Sequence, residues 1–464
     1  MSNGRTTRSG RRYVEFWQDL GNIEIVTIKS SCPPLESLLQ QALEREAQPV
    51  DDPLENFDTD LSSQSTLDPN LAPPVKKRAV PEDEDAEEPA KGHNTHRHSK
   101  RRKRREVRMH ADGHLHSHHL SAIQTCQTVS SSLNVAQLPA ASGGYIGQDI
   151  TGPSRNVWDV GWYRSQPDWD YVEWDGTNAL LLVDEAGRIF MVGLKNVRDP
   201  SYNEDMEKLA DLLEGARTMK LKLKREDLNH LRGEGFAAAA TGWSMGGGQD
   251  RVTHSAGKHE EVMQNLIQEP CMRRLASTQD AGFACWSFRN YELYKESMGQ
   301  LRSSIEGFKP NFDRSQFASL TCNFGPQVCT SIHTDAKNCP HSMCAITAVG
   351  QFESSKGGHL VLPDLKVIIE FPSGCTFLLP SAVLRHGNTR IQEGETRYSV
   401  TQYSAGGIFR WLEYGQRTED QFRRQDPSGF RKMMKEREGR WSRMINMFVT
   451  LDDVRQYHSV NRDS

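Results

Sequence analysis

The sequence predicts an α+β fold in which helices buttress a jelly-roll core, a double-stranded β-helix of the cupin type. Short apolar or β-branched segments, separated by Gly, Pro, Asn and Ser, fill residues 317–403, as is typical of antiparallel sandwiches and barrels. Segments with helical periodicity precede them between residues 203 and 305. The first 145 residues are mostly polar and aperiodic, which predicts a largely disordered N-terminal region.

Composition supports one large core with disordered flanks. Only 36% of the 464 residues are apolar, and the mean hydropathy is -0.67. The 57 basic and 61 acidic residues nearly cancel, so the net charge alone does not indicate a nucleic-acid partner. The chain has no apolar run near the roughly 20 residues of a membrane helix, so we expect an intracellular protein without a membrane partner.

The N-terminal region divides into segments of unlike composition. Residues 48–119 are rich in Pro, Asp, Glu, Lys and His, and cannot bury enough surface to offset their ordering entropy. An acidic cluster at 82–88 is flanked by basic blocks at 76–78 and 100–105. The basic blocks resemble a two-part nuclear import signal, which predicts a nuclear protein; a solubilising tail is the alternative. The His-rich tract at 93–119 either binds transition metals loosely or is simply low complexity.

The folded region is expected to begin with the aromatic cluster at 158–174. Residues 179–194 alternate and turn at Glu185-Ala-Gly187, which predicts a β-hairpin. Helices are predicted at 203–231, 264–277 and 291–305, where they would cover the outside of the main sheet. The charged segment 421–449 is predicted to be helical.

Six strands are predicted in the second half of the chain, each bounded by turn residues. They are residues 317–324, 344–352, 359–362, 367–371, 376–379 and 398–403.

Two histidines and one aspartate within this β-region have the pattern of a metal site. His333 and Asp335 are two residues apart, so both side chains point to the same face of an extended strand. His386 follows after the apolar strands. Two imidazoles and a carboxylate form the facial triad that binds Fe(II) and leaves three positions open, and a jelly-roll mouth would bring them together. The alternative is that both histidines are ordinary core residues.

An arginine beyond the last histidine suits a dicarboxylate co-substrate such as 2-oxoglutarate. Arg397 opens a predicted strand with Ser399 on the same face, and its guanidinium can make a forked, charge-assisted pair with a carboxylate. Arg390 is the rival, but it precedes a turn. A structural ion pair is the other explanation for Arg397. Asn323 either supports the co-substrate together with Ser399 or forms a strand-end turn.

Several stretches of the chain resemble the TET/JBP nucleic-acid base dioxygenases, most closely the transposon-associated branch found in mushroom-forming (basidiomycete) fungi. The resemblance extends over residues 155–416. The stretches that carry it are residues 242–249, 323–326, 333–338, 357–363, 385–389, 394–403 and 406–411.

This resemblance implies an enzyme that uses Fe(II), 2-oxoglutarate and O2 to hydroxylate the methyl group of a modified base in DNA. The substrate would be 5-methylcytosine, giving 5-hydroxymethylcytosine and further oxidation products, or N6-methyladenine, which would be demethylated; thymine or an RNA base stays open. The base would be flipped into the site. The pattern His333-x-Asp335-x-x-Asn338 places Asn338 against that base, although Asn-Cys-Pro is also an ordinary turn.

The expected organisation is a disordered region at 1–145, a dioxygenase domain at 150–416 and a charged helical tail at 417–464. A 2-oxoglutarate-dependent hydroxylase of a protein or a small molecule would use the same residues and is the alternative function. An inactive DNA-binding module is disfavoured because every ligand position is filled.

Overall fold

The computed structural model describes residues 117–149, 157–230, 232–437 and 439–460, together with three short strands before residue 28. The acidic and basic blocks and most of the His-rich tract lie outside the described residues.

The strands, in chain order, are β1 (Arg5–Thr6), β2 (Arg12–Tyr13), β3 (Ile25–Thr27), β4 (Gln127–Ser130), β5 (Asp170–Val172), β6 (Leu180–Val183), β7 (Ile189–Gly193), β8 (Asn229–His230), β9 (Gly233–Glu234), β10 (Ala237–Ser244), β11 (Thr253–Ala256), β12 (Ser319–Phe324), β13 (Cys344–Val349), β14 (Leu360–Leu362), β15 (Val367–Ile369), β16 (Thr376–Leu379), β17 (Gly387–Asn388) and β18 (Tyr398–Tyr403).

The α-helices are α1 (Ser117–Gln124), α2 (Val160–Ser165), α3 (Pro200–Gly215), α4 (Glu260–Gln268), α5 (Pro270–Trp286), α6 (Phe288–Ser304), α7 (Gly406–Glu413), α8 (Glu419–Gln425), α9 (Pro427–Arg437), α10 (Arg440–Met444) and α11 (Leu451–Val460). Short 3-10 turns occupy Val135–Gln137, Glu226–Leu228 and Ile445–Met447, and a π turn occupies Ala216–Lys220.

Two sheets of unequal size carry the site. The larger has ten strands in the order β11-β10-β12-β18-β13-β16-β7-β6-β4-β3, antiparallel from β11 to β6 and parallel from β6 to β3. The smaller has four strands in the order β17-β14-β15-β5. A single antiparallel bridge between His333 and His386 extends its β17 edge. The mixed α/β composition with large sheets agrees with the predicted class.

Apolar clusters hold the helices and sheets together. One cluster contains residues of both sheets, among them Ile369 and Phe377. A second joins α3 and α5 to the large sheet through Leu209, Leu275 and Val400. All five side chains are fully buried. Close packing therefore supports each sheet face that carries the site.

Most predicted elements are found, with changed ends. The hairpin at 179–194 is confirmed as β6 and β7, and the six predicted strands correspond to β12–β16 and β18. The predicted helix 203–231 is too long, because α3 ends at Gly215. Lys and Leu alternate from residue 220 to 224, a period of two that suits extended chain rather than helix. The predicted helix 264–277 is divided at Pro270, which begins α5.

The fold extends beyond both predicted domain boundaries. Before residue 145, β4 pairs in parallel with β6, and Val129 and Leu133 are buried. Sequence patterns miss β4 because Gln-Thr-Val-Ser has one apolar residue and no clear alternation. After residue 417, Phe448 and Val454 belong to the main apolar cluster, so these helices are part of the core rather than a separate tail.

None of the helices in the described ranges is both long and apolar enough to cross a membrane.

A buried acid on α5 gives the fold a testable pH dependence. Asp280 is 5% exposed, and its Oδ1 accepts a hydrogen bond of 2.7 Å from the Gln316 backbone N–H. Burial raises the pKa of Asp280 to about 7, whereas an unfolded Asp has a pKa of about 3.9. Between about pH 4 and 7 the folded state therefore holds a proton that the unfolded state has lost, so stability falls as pH rises through this range.

We expect Asp280→Asn to flatten this dependence, because an amide keeps the acceptor and cannot ionise. Thermal unfolding followed between pH 5 and 8 should show a falling melting temperature for the wild type and a smaller fall for the variant. Asp313→Asn, at an exposed site, is the control and should follow the wild type. Equal pH slopes in Asp280→Asn and the wild type would contradict the assignment.

Candidate metal centre

Backbone pairing places the three predicted metal ligands side by side. His333 and His386 exchange two backbone hydrogen bonds, of 2.9 and 3.0 Å, and the Asp335 N–H donates to the Ser381 carbonyl at 2.8 Å. One ligand atom from each of His333, Asp335 and His386 lies within 4.8 Å of the other two. Three donors at such separations can bind one ion.

The hydrogen bonds of the two imidazoles engage Nδ1 of each ring and leave Nε2 free for a metal ion. Nδ1 of His333 lies 2.8 Å from the Ser331 carbonyl, and Nδ1 of His386 lies 3.0 Å from the Leu384 carbonyl. A carbonyl only accepts, so each Nδ1 carries the hydrogen and each Nε2 keeps its lone pair for a metal. Burial lowers the pKa of His333 to about 3 and also lowers the pKa of His386. Both rings are therefore neutral at physiological pH, as metal ligation requires.

Asp335 is kept ionised by an arginine that the sequence analysis missed. Burial, the largest single effect, raises the pKa of Asp335, but the charge of Arg232 acts together with the two histidines and the Ser381 hydroxyl and lowers the pKa to about 2. Nη2 of Arg232 lies 2.6 Å from Oδ1 of Asp335. Arg232 occupies the turn between β8 and β9, where no periodicity or motif marks it. Its guanidinium would share the carboxylate with a bound cation.

The donor set fits iron. Among the residues that the structure describes, this is the single group of three His, Cys, Asp or Glu side chains close enough to hold a metal ion. Two neutral imidazole nitrogens and one carboxylate are the facial donor set of non-haem Fe(II) oxygenases, which leaves coordination positions open.

The remaining predicted site residues line the same cleft as the metal ligands, with side chains from both sheets. The cleft is lined by Arg232, Thr321, Asn323, Thr330, His333, Asp335, Asn338, Ile346, Leu360, Phe371, His386, Gly387, Asn388, Arg397, Ser399, Thr401 and Tyr403.

Arg397 is a buried cation without a carboxylate partner among the described residues. It is 3% exposed, its Nη1 donates to the Val328 carbonyl at 3.2 Å, and its Nε has no hydrogen-bond partner. Burial lowers its pKa to about 10, so it is still charged at neutral pH. A buried unpaired charge is costly, and a carboxylate ligand would remove that cost. The rival Arg390 is exposed and does not line the cleft.

Asn323 and Ser399 lie on neighbouring strands of the cleft wall. Residues 323 and 399 are register partners of β12 and β18, and Nδ2 of Asn323 donates to Oγ of Ser399 at 2.8 Å. The amide oxygen of Asn323 and the hydroxyl hydrogen of Ser399 are therefore left for a ligand near Arg397.

Asn338 belongs to a turn, and its side chain also lines the cleft. Its backbone N–H donates to the Asp335 carbonyl at 2.8 Å, as in a turn. Its Nδ2 donates to Oγ of Ser381 at 3.1 Å. The Ser381 hydroxyl also hydrogen bonds the Asp335 carboxylate. Ser381, another residue the sequence analysis did not find, thus connects a metal ligand to Asn338; only the sheet closure brings it there.

The described residues thus combine a mixed α/β fold that has large sheets with a two-histidine, one-carboxylate centre. No protein-family model and no curated protein matches the sequence. Solved structures do match. NgTET1 in complex with 5mC DNA is 12% identical, with 53% of this chain and 86% of that chain covered and a TM-score of 0.36.

Two further matches are more distant in structure. OsALKBH1 is 11% identical over 46% of this chain and 97% of its own, with a TM-score of 0.25. The viral collagen prolyl hydroxylase of Paramecium Bursaria Chlorella virus-1, in its 2OG complex, is 15% identical over 42% of this chain and 89% of its own, with a TM-score of 0.21.

We expect Arg397→Lys to weaken the binding of 2-oxoglutarate. Lysine keeps the charge but loses the fork, so the dissociation constant should rise ten- to a hundredfold, about 1.5–3 kcal/mol for a charge-assisted bond. Isothermal titration of the metal-loaded protein measures this directly. Arg390→Lys is the matched control. An unchanged affinity in Arg397→Lys, together with a loss in Arg390→Lys, would show that Arg390 is the clamp.

Proposed function

We propose that this protein is an Fe(II)- and 2-oxoglutarate-dependent dioxygenase that hydroxylates the methyl group of a modified base in DNA. The observation that carries the proposal is one cleft that combines two neutral imidazoles and an ionised carboxylate with the unpaired, buried guanidinium of Arg397. The first three groups suit Fe(II), and the last suits the distal carboxylate of 2-oxoglutarate.

The chain path supports a double-stranded β-helix as the scaffold. From β12 to β18 the chain passes between the sheets: β12, β13, β16 and β18 lie in the large sheet, and β14, β15 and β17 lie in the small one. The His333 segment adds the fourth position of the small sheet through its bridge to His386. These eight positions, four in each sheet, alternate between the sheets except at the consecutive pair β14 and β15, as in a jelly roll, whose open end is a common place for ligands.

His333, Asp335 and His386 would hold the iron, and Arg397 with Ser399 and Asn323 would hold the co-substrate. Fe(II) bound there would supply oxygenase chemistry, in which 2-oxoglutarate and O2 give succinate and CO2 and one oxygen atom of O2 is inserted into a substrate C–H bond. The protein's part is positioning and water exclusion. Ile346, Leu360 and Phe371 line the cleft with apolar surface.

Asn338 is the group best suited to read a base. It lies in the same cleft as the metal ligands, and one of its N–H groups is directed to Ser381. Its carbonyl oxygen and second N–H are left to accept from and donate to the edge of a flipped base. The resemblance to the TET/JBP enzymes at residues 333–338 agrees with this role.

A nuclear location is proposed on the basic blocks at 76–78 and 100–105 alone. A hydroxylase of a protein or a small molecule would share the iron and 2-oxoglutarate residues, and the assay below distinguishes it from a base dioxygenase.

The assay incubates the Fe(II)-loaded full chain with 2-oxoglutarate and oligonucleotides that carry 5-methylcytosine, N6-methyladenine or thymine, and identifies nucleosides by mass spectrometry. We expect one methylated base to be oxidised, and His333→Ala and Asp335→Ala to lose turnover while keeping the wild-type circular dichroism spectrum. Full activity in either variant would end the iron assignment. Turnover of a peptide or a small molecule, without turnover of any modified DNA or RNA, would establish the alternative function.

We expect Asn338→Ala to depress base oxidation strongly and to spare the slow decarboxylation of 2-oxoglutarate that occurs without substrate. The reason is that the side-chain amide of Asn338 hydrogen bonds to Ser381, and not to a metal-ligand atom or to Arg397. Succinate and oxidised nucleoside are measured in the same reaction. Asn203→Ala, at an exposed position of α3, is the control. Parallel loss of both products in Asn338→Ala would mean a structural role instead.

A further inference from the structure

The C-terminal helices carry a concentration of positive charge. Residues 421–443 contain eight Arg or Lys and three Asp or Glu, in a chain whose net charge is -4. Within α9 (Pro427–Arg437) the single acid is Glu436. This segment is therefore a basic region of an otherwise weakly acidic protein.

α9 turns its apolar side to the protein and its basic side to solvent. Phe430, Met433 and Met434 pack against a cluster of Tyr145, Tyr414 and Phe422. Arg431, Lys432 and Lys435 are exposed. We name these three residues the α9 basic face.

No carboxylate pairs with the α9 basic face among the described residues. The neighbouring arginines are engaged: Arg437 donates to Ser142 at 2.9 Å, and Arg440 to Glu413 at 2.5 Å. Arg431 and Lys435 are four residues apart, a spacing at which like charges destabilise a helix by about 0.2–0.5 kcal/mol. The attraction of a bound polyanion for each of these side chains would offset their mutual repulsion.

A short series of contacts connects α9 to the loop at residues 336–338, which carries the cleft residue Asn338. Asn338 forms a bridge with Ala405, and the backbone N–H of Gly147, two residues after Tyr145, donates to the carbonyl of Ala336 at 2.7 Å. Tyr145 in turn donates to Glu413 at 2.6 Å and packs against the apolar side of α9. One short segment of chain thus lies between the 336–338 loop and α9.

We propose that the α9 basic face binds the phosphate backbone of the nucleic acid whose base enters the cleft. The identity of this partner rests on the proposed function. Apart from Pro427 at its first position, the exposed residues of α9 are polar, with Ser428 and Glu436 beside the three basic residues. They offer no apolar surface for insertion into a lipid bilayer. Lys and Arg on such a face neutralise phosphates and release counterions, which gives affinity without base specificity.

The test compares the full chain with the triple variant Arg431→Gln/Lys432→Gln/Lys435→Gln. Binding to an unmodified DNA duplex is measured by fluorescence anisotropy over a series of salt concentrations. Each lost phosphate contact lowers the slope of log K against log salt by about 0.9, so the slope should fall by about two to three. Affinity at the lowest salt should fall at least tenfold. The substrate-free decarboxylation of 2-oxoglutarate should be unchanged, because no site residue is altered.

A matched triple variant controls for the loss of three positive charges. Lys208, Lys220 and Lys222 are exposed and lie on α3 or just after it. This part of the protein contacts the opposite end of β18 from Tyr403, since Tyr398 donates to Glu214 at 2.9 Å. Lys208→Gln/Lys220→Gln/Lys222→Gln should bind DNA like the wild type.

Equal slopes and affinities in the α9 variant and the wild type would overturn the proposal. So would unchanged DNA binding combined with lost binding to vesicles of phosphatidylcholine and phosphatidylserine, which would make the face a membrane contact. The two proposals also fail separately. If no base is oxidised but the α9 variant still loses DNA affinity, the DNA interface is supported and the base-dioxygenase function is wrong. If bases are oxidised but the α9 variant binds DNA like the wild type, the function is supported and the interface is wrong.

Discussion

The reciprocal backbone pair between His333 and His386 is the constraint on which the site depends. It joins two chain segments that are far apart in sequence, and the carbonyls of Ser331 and Leu384 fix both ring tautomers. Main-chain hydrogen bonds therefore set the direction of each Nε2, with no need for a second-sphere carboxylate on either ring. The positions of the three ligand atoms therefore depend on the pairing of the His333 and His386 segments at the edge of the small sheet. The packing of the large sheet and its helices maintains that pairing.

Charge is distributed unevenly along the cleft. Arg232 is paired with Asp335, whereas Arg397 is buried and has no carboxylate partner among the described residues. The first pair keeps a ligand ionised before any cation arrives. The second leaves a cation that the fold tolerates at an energetic cost. A dianionic co-substrate that spans from the metal to Arg397 would neutralise the positive charges of both. The proposed ligands would therefore complete the charge pairing of the cleft.

Sequence patterns predicted the residues whose roles follow from spacing. The hairpin at 179–194 and the strands β12–β16 and β18 have clear apolar alternation or turn boundaries, and His333 with Asp335 is two residues apart on one strand face. Sequence patterns did not predict Arg232 or Ser381, because both reach the site from turns whose position depends on the tertiary fold. It also missed β4, whose four residues are mostly polar, and it extended α3 past Gly215 through a segment that alternates with a period of two.

The close approach of the 143–147 segment has a consequence for how this protein can be divided. A Cβ at Gly406 would lie 1.6 Å from the Tyr145 carbonyl oxygen, and one at Gly147 would lie 1.9 Å from the Ala382 carbonyl oxygen. These backbones fit against each other without room for any side chain. A fragment cut to the motif-bearing residues 150–416 would lose this strip of chain and leave the Ala336 carbonyl without its donor at the entrance of the cleft. A catalytic fragment must therefore include residues 143–147 in addition to residues 150–416.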